Sequence, residues 1–266
     1  MSISETARSF HVPPALLHLA WPVIGGKAIA SRDSCGIDED VRALQAIGTK
    51  VRIARNQAIF CEGEACDCAY KVVSGVVRLC KHLADGRRPI VQFSFPGDFF
   101  SIMDFQTQSF TAEAVTDCVL MSYPKSAIAA LGEERPSVRR RFLTLMAQRL
   151  NDMENHLAVL GRQTAKERVI SFLLFLGERV GIDEDDLADV PMIRQDMADY
   201  LGLTNETVCR VVAELKRAGL IETPNNRQFI LRDTEALEAL AEGDEEFVHA
   251  PPRAPATHKP PLAIAA

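Results

Sequence analysis

The 266-residue sequence is poor in aromatic residues, which make up 6% of the chain with a single Trp. It has no uncharged apolar run of about 18 residues, which excludes a membrane-spanning helix. Residues 1–5 lack a basic segment followed by an apolar one, so a secretory leader is not expected. Basic and acidic residues nearly balance, at 30 and 36 for a net charge of −6. We expect a cytoplasmic protein with no membrane partner, and any nucleic-acid contact must use a local positive patch.

Seven cysteines are an odd number, and they lack the spacing of a small disulfide-bonded scaffold. In a reducing compartment they are expected to be thiols, metal ligands or redox-sensitive groups. Cys61, Cys66 and Cys68 lie close together, and Cys80 follows on the next strand. This spacing matches no common zinc or iron–sulfur pattern, so we assign no metal and no cofactor. Cys118 is expected to be a small buried core residue.

The composition changes along the chain. Residues 1–34 show no sustained period and form an N-terminal extension. Short apolar runs then alternate with turn signals such as Asp85-Gly86, which predicts a β barrel or sandwich over residues 35–135. Residues 241–266 are rich in Pro and Ala after an acidic start, which predicts a disordered tail.

Residues 136–161 repeat apolar side chains with a period of 3.5, flanked by Arg, Asn, Asp and Glu. Such a seam is either one face of a core helix or the contact between two copies of a chain. Because the helix links two regions of different type, we favour a dimer interface. The side chains of the seam are Phe142, Met146, Leu150, Met153, Leu157 and Leu160.

Residues 162–240 predict a winged helix-turn-helix. Thr164 and Glu167 form a capping box that starts one helix. Two short helices follow around Gly202, and Thr204 caps the second, whose outer face is polar. Two short strands around an Asn-rich turn then form the wing. The expected DNA-contacting side chains are Thr204, Asn205, Glu206, Cys209, Arg210 and Arg217.

Segments 75–79, 96–99 and above all 199–210 carry a resemblance to a known family. The chain resembles the Crp/Fnr superfamily of bacterial transcription regulators over about residues 50–235. The resemblance implies an α+β fold with an N-terminal cyclic-nucleotide-binding-like β barrel (jelly roll), a long dimerisation helix and a C-terminal winged helix-turn-helix. It also implies a homodimer that binds double-stranded DNA and contacts RNA polymerase.

In the Fnr and FixK branch, a Glu-x-x-Ser-Arg pattern reads half-sites of the palindrome TTGAT-N4-ATCAA. Glu206 and Arg210 occupy matching positions, where Arg donates to guanine and Glu accepts from cytosine. Cys209 replaces the Ser and is a weaker hydrogen-bond partner. An exposed Cys early in a helix and beside Arg210 favours the thiolate, so we consider Cys209 a redox switch whose oxidation blocks DNA binding.

The resemblance also limits which signals the protein is expected to sense. Residues 101–103 and 108–111 lack the Gly-Glu and Arg-Ser pairs that hold cyclic AMP in this superfamily. The N-terminal segment offers only Cys35, so the iron–sulfur cluster of oxygen-sensing Fnr proteins is not expected. What remains is similar to the FixK-like subgroup. This resemblance implies a regulator of oxygen-limited metabolism that binds DNA without a small effector.

Two alternatives belong to other classes. A sensor of the same superfamily would bind haem, nitric oxide or a metal cluster before DNA. Its candidate histidines are His11, His18, His82 and His156. An enzyme on a cupin-like barrel needs two histidines and a carboxylate on adjoining strands, but the barrel region holds only His82, so we do not expect an enzyme.

Overall fold

The computed structural model describes residues 34–102, 106–180 and 187–243. The helices are α1 (Ser34–Ile47), α2 (Lys125–Glu134), α3 (Pro136–Arg162), α4 (Ala165–Val180), α5 (Arg194–Leu201), α6 (Asn205–Arg217) and α7 (Thr234–Ala241). The strands are β1 (Thr49–Ile53), β2 (Ala58–Phe60), β3 (Cys68–Ser74), β4 (Val77–Cys80), β5 (Ile90–Ser94), β6 (Phe99–Phe100), β7 (Thr111–Ala114), β8 (Cys118–Pro124), β9 (Leu187–Asp189), β10 (Ile221–Asn225) and β11 (Gln228–Leu231).

Two four-stranded antiparallel sheets make the N-terminal domain, with strand orders β1-β8-β3-β6 and β2-β7-β4-β5. Their facing side chains, among them Val72, Val77 and Leu120, form one core. Cys118 is buried in this core, which confirms the expectation for it. The arrangement is a jelly roll, and the predicted α+β fold is confirmed.

Strand β4 is buried at every position, although a strand with one solvated face alternates buried and exposed residues. The outer face of its sheet is covered by the C-terminal domain. Phe93 of β5, together with Val76 before β4 and Phe95 after β5, shares a single apolar core with residues of α4, α5 and α6. The two domains are therefore packed together through a shared apolar core.

Helix α3 begins with Pro136 at its first turn, where the missing N–H costs nothing. Phe142 is buried within its own chain, because the start of the helix lies against the jelly roll. Its ring meets Phe99 edge-on at 5.8 Å and packs near Tyr123 and Val138. Phe142 is therefore not on the exposed row of apolar side chains. That row starts one residue later, and its most exposed members are Leu143 at 56%, Leu150 at 59%, Met153 at 48% and Leu157 at 66%.

The C-terminal domain is a winged helix-turn-helix, as predicted. The capping box is present, since the Thr164 amide donates to Glu167 at 2.9 Å and the Glu167 amide donates to Thr164 Oγ1 at 3.3 Å. Gly202 joins α5 to α6 with a φ of 63°, a left-handed conformation that favours glycine. Strands β10 and β11 form the wing, and β9 extends their sheet to three strands.

Several elements were not predicted, namely α1, α2, α7 and β9. Almost all of the predicted N-terminal extension and disordered tail lies outside the described residues. In the part of the chain that the structure describes, no helix is long and apolar enough to span a bilayer.

Candidate nucleic-acid interface

Helix α6 has one buried face and one open face. Its buried side chains recur at every third or fourth position, which packs the helix on α4 and α5. They are Val208, Val211, Val212 and Leu215. The opposite face is solvent-exposed at Glu206, Cys209, Arg210 and Arg217, and Asn205 is half-buried. Five of the six predicted contact residues, counting the exposed Thr204, are thus open to a partner.

The N-terminus of α6 is fixed by its cap. Thr204 Oγ1 accepts from the Thr207 amide at 3.2 Å. The Glu206 carboxylate has a pKa below its usual range, because its own backbone amide and the Thr204 hydroxyl donate to it. Glu206 is therefore held as an anion at the helix N-terminus, where the helix dipole also favours negative charge.

Arg210 and Glu214 form an ion pair along the helix at 3.4 Å, with the Arg210 side chain 64% exposed. An exposed pair of this kind contributes little and breaks easily. The guanidinium is therefore free to exchange Glu214 for another acceptor. Cys209 Sγ lies 3.8 Å from Asn205 Oδ1, one turn earlier on the same face.

Arg194, which the sequence interpretation overlooked, belongs to the surroundings of Cys209. Burial lowers its pKa, whereas its attraction to Cys209 opposes that shift. Its guanidinium also contacts the sulfur of Met197 at 3.5 Å. The signal in the sequence was weak, because Arg194 begins α5 and lies 15 positions before the cysteine in the chain.

Arg168 on α4 was also missed, and it joins three segments. Its guanidinium donates to the carbonyls of Gln163 at 2.9 Å, Leu160 at 2.6 Å and Leu201 at 3.1 Å. These carbonyls lie at the end of α3 and at the turn before α6. Since helix ends leave carbonyls without intrahelical partners, one arginine satisfies the ends of both α3 and α5 and ties α4 to them.

A charged network connects α5 to the outer face of the jelly roll. Asp196 is 1% exposed and accepts from Arg78 at 3.1 Å and from Arg88 at short range. The same arginines pair with Glu113 on β7, at 2.8 Å and 3.5 Å. Asp199 also accepts from Arg88, at 3.3 Å. Two cations thus lie between carboxylates of the two domains.

A cavity of about 300 Å³ lies beside this network, between β5, α3, α4 and α5. Its polar lining includes Asp98, Arg149, Asp152 and His156. Burial lowers the pKa of His156 to about 4 and raises that of Asp152 to about 6. The imidazole stacks on Tyr200 with ring centres 4.3 Å apart. His156, expected as a haem-ligand candidate, is therefore a neutral ring packed at the domain junction.

The position where the superfamily holds cyclic AMP has a different chemistry here. Ser101 Oγ lies 3.1 Å from Gln108 Oε1, and Gln108 is buried. Neither side chain supplies the cation that a phosphate requires.

The structure does not gather Cys61, Cys66, Cys68 and Cys80 into one site. Among the described residues, the group with metal-ligating potential is Cys80, His82 and Glu113, whose ligand atoms lie within 4.8 Å of one another. Glu113 already pairs with Arg78, and burial raises the pKa of the Cys80 thiol to about 11. Both features oppose metal binding, because the ligand must be a thiolate and the carboxylate is occupied.

The two domains match family models separately. Residues 50–135 match the cyclic nucleotide-binding domain, and residues 167–240 match the Crp-like helix-turn-helix domain. The chain is 38% identical to the nitrogen fixation regulation protein FixK of Azorhizobium caulinodans, over 90% of this chain and 99% of that protein. It is 40% identical to FixK of Rhizobium meliloti, over 68% of this chain and 82% of that one.

Among solved structures, FixK2 from Bradyrhizobium japonicum superposes with a TM-score of 0.70 and 34% identity, covering 73% of this chain and 97% of that chain. A jelly roll, a long helix and an exposed recognition helix on a winged domain define a DNA-binding transcription regulator. The chain belongs to the Crp/Fnr family, and within it to the FixK-like regulators.

Proposed function

We propose that this regulator binds the palindrome TTGAT-N4-ATCAA as a homodimer, without a small effector. The observation that carries the proposal is the open face of α6, where Glu206 and Arg210 lie one turn apart and exposed. Arg210 would donate to a guanine edge, and Glu206 would accept from a cytosine amino group. Each such pairing contributes roughly 1–3 kcal/mol of discrimination.

The remaining polar side chains of α6 position the helix rather than read bases. Thr204 and Asn205 lie at its N-terminus, where hydroxyl and amide groups can bond to phosphate oxygens. Arg217 lies in the last turn and would add a phosphate contact that is independent of sequence. Cys209 takes a place where the family pattern has Ser.

The dimer uses the exposed apolar row of α3, which we define as Leu143, Met146, Leu150, Met153, Leu157 and Leu160. A second copy of the helix would cover this row and set the two recognition helices about 34 Å apart, one turn of DNA. Leu157→Glu should give monomers in analytical ultracentrifugation and lose tight DNA binding. The matched control is Ala158→Glu, an exposed neighbour off the row. Equal dimerisation of the two variants contradicts the interface.

The test of the function is fluorescence anisotropy with a labelled TTGAT-N4-ATCAA duplex and a scrambled duplex, in reductant at fixed salt. We expect tight binding to the first duplex alone, with no ligand added. Weak binding to both would overturn effector-free recognition.

A second candidate mechanism is the ligand-gated sensor. It is favoured by the cavity at the domain junction, whose volume lies at the lower end of the range of ligand-binding sites. Added haem is a direct test of its haem version. A Soret band and a gain in specific binding would favour it over the effector-free regulator.

We further propose that oxidation of Cys209 switches the protein off. A sulfinic acid on the open face of α6 would set a negative charge against DNA. Peroxide should abolish binding by the wild type and spare Cys209→Ser. If both proteins lose binding alike, the switch lies elsewhere.

The FixK resemblance is the basis for a proposal about the target genes and the protein partner. We infer that the protein controls genes of oxygen-limited metabolism in the cytoplasm and contacts RNA polymerase as an activator. Transcription in vitro from a promoter with the palindrome should rise when the protein is added to purified polymerase. An unchanged or lower transcript level contradicts activation.

A further inference from the structure

In the jelly-roll domain, a lysine and a cysteine are in unusually close contact. Lys125 Nζ lies 2.7 Å from Cys66 Sγ, although the two residues are 59 positions apart. Cys66 precedes β3 and is 5% exposed, whereas Lys125 is the first residue of α2. The Lys125 amide also donates to the Asp67 carbonyl at 2.8 Å. The backbone thus holds the two reactive groups together.

The distance is informative because sulfur is a large atom. N–H···O bonds span about 2.7–3.2 Å, and a larger sulfur acceptor should lengthen the contact. A direct bond from sulfur is much shorter, at about 2.04 Å for S–S. Two atoms bonded to the same third atom, with bonds of about 1.5 Å and an angle of about 111°, lie about 2.5 Å apart. A bond to sulfur is longer, so it increases the separation of the two outer atoms. The separation of 2.7 Å therefore fits one intervening atom.

The surroundings suit an oxygen in that place. Ser101 Oγ lies 3.4 Å from Cys66 Sγ and 3.1 Å from Gln108 Oε1. A hydroxyl beside the sulfur can hydrogen-bond to an oxygen bound to it. Cysteine is oxidised first to sulfenic acid, which places one oxygen on the sulfur within reach of the lysine nitrogen.

We propose that Cys66 and Lys125 form a reversible covalent cross-link in which one oxygen atom joins Sγ to Nζ. With hydrogen peroxide as oxidant, the thiol and the neutral amine react with two peroxide molecules to give the S–O–N bridge and three water molecules. One S–O, one O–N and two O–H bonds form, while one S–H bond, one N–H bond and the O–O bonds of both peroxide molecules break. Sulfur and nitrogen each lose two electrons, and the peroxide gains four.

The cross-link would tie the segment before β3 to the start of α2, which leads directly into α3. It is separate from Cys209, since Cys66 is buried in the jelly-roll domain and Cys209 is exposed on α6. The protein would then carry an oxidation site in each domain. The bridged chain should also resist thermal unfolding, because a link across 59 positions constrains the unfolded state.

The test uses the full-length Cys209→Ser chain treated with hydrogen peroxide and measured without reductant. The bridge adds one oxygen and removes two hydrogens, a gain of roughly 14 Da that distinguishes it from the oxygen additions of simple cysteine oxidation. Trypsin should no longer cleave after Lys125, and the peptides carrying Cys66 and Lys125 should be joined. Dithiothreitol should reverse both changes.

Lys125→Arg keeps the charge and Cys66→Ser keeps the size, and both should abolish the mass gain. Cys61→Ser, a change at an exposed cysteine of the same domain, should leave it intact. A melting curve of each reduced variant shows whether it is folded. Oxygen additions confined to Cys66, a disulfide between Cys66 and Cys68, or the same mass gain in Lys125→Arg would each overturn the cross-link.

Discussion

The two helices of the helix-turn-helix both carry acidic and basic residues, but their carboxylates lie in opposite environments. On α5, Asp196 is 1% exposed and lies between Arg78 and Arg88 of the jelly roll. On α6, Glu206 and Arg210 are exposed and make only local contacts. The carboxylates of α5 therefore serve the junction between domains, whereas the charges of α6 are available to another molecule.

The difference follows from what each helix packs against. Helix α5 lies on the outer face of a sheet, where Phe93 meets Tyr200 edge-on at 5.2 Å. Charges enclosed there must be paired, because an unpaired buried charge costs several kcal/mol. Helix α6 has only its apolar side covered. A charged residue in this domain thus has a structural role where its helix face packs on the sheet and is available for binding where that face is open to solvent.

The largest effect is expected at the enclosed carboxylate. Asp196→Ala leaves the buried Arg78, itself 8% exposed, with Glu113 as its remaining ion-pair partner among the described residues. The free energy of unfolding should fall by about 3–5 kcal/mol, measured by urea denaturation. Glu206→Ala is the control and should stay within about 0.5 kcal/mol. Asp196→Asn, which keeps the shape, should lie between them. Equal stability of all three would end the distinction between the helices.

The next effect concerns DNA rather than stability. Arg210→Ala should lose about 1–3 kcal/mol of discrimination between the palindrome and a scrambled duplex, since the guanine contact is removed. Its melting temperature should not change, because the side chain is exposed. Arg217→Ala provides the contrast. It should weaken binding to both duplexes alike and reduce the salt dependence. A loss of stability in Arg210→Ala would place this residue with the enclosed charges.

A smaller effect is expected at Asp152 in the junction. Folding raises the pKa of this carboxyl from 3.8 to about 6, so the folded chain holds a proton that the unfolded chain releases over this interval. Its contribution to stability therefore falls as the pH rises from about 4 to 6. Asp152→Asn should be more stable than the wild type at pH 7, by on the order of 1–2 kcal/mol, and equal to it below pH 4.

Neighbouring His156 opposes this dependence. Its pKa falls from 6.5 to about 4, so it adds stability as the pH rises over that interval. Since His156 is present in both proteins, the difference between wild type and Asp152→Asn isolates the carboxyl. Denaturation at several pH values measures it. A constant difference between pH 4 and 7 would show that the carboxyl is not the titrating group.

The smallest effect is expected at Glu214. Its ion pair with Arg210 is exposed, so Glu214→Ala should change the free energy of unfolding by less than about 0.5 kcal/mol. Removal of a carboxylate from the DNA side should raise affinity for any duplex. Weaker binding would mean that Glu214 orients Arg210 rather than competing for it, and anisotropy distinguishes the two outcomes.

The sequence was most informative where a pattern is local. The capping box at Thr164, the glycine turn at Gly202 and the cap at Thr204 each depend on residues within a few positions, and all three are present. Helix α7 had a comparable signal in Asp233, whose side chain accepts from the Ala236 amide. The sequence analysis did not predict α7, because the chain beyond it has the Pro-rich and Ala-rich composition of a disordered tail.

Contacts between distant residues left no such signal. Asp196 and Arg78 are 118 positions apart, and nothing near either residue announces the pair. The seam of α3 shows the same limit. Its period includes Phe142, but the first turns of the helix lie on the jelly roll, so this side chain joins the core of its own chain. Periodicity identifies an apolar face without identifying what covers it.

The shared core of the two domains affects how the regulator can evolve. The regulator's two domains match two different family models, at residues 50–135 and 167–240. Yet Phe95, directly after β5, packs edge-on against Phe175 of α4 at 5.7 Å. A winged domain taken from a relative would bring only half of this contact. Replacement of the winged domain therefore requires matching changes on the jelly-roll side of the contact, so the two domains are expected to diverge together.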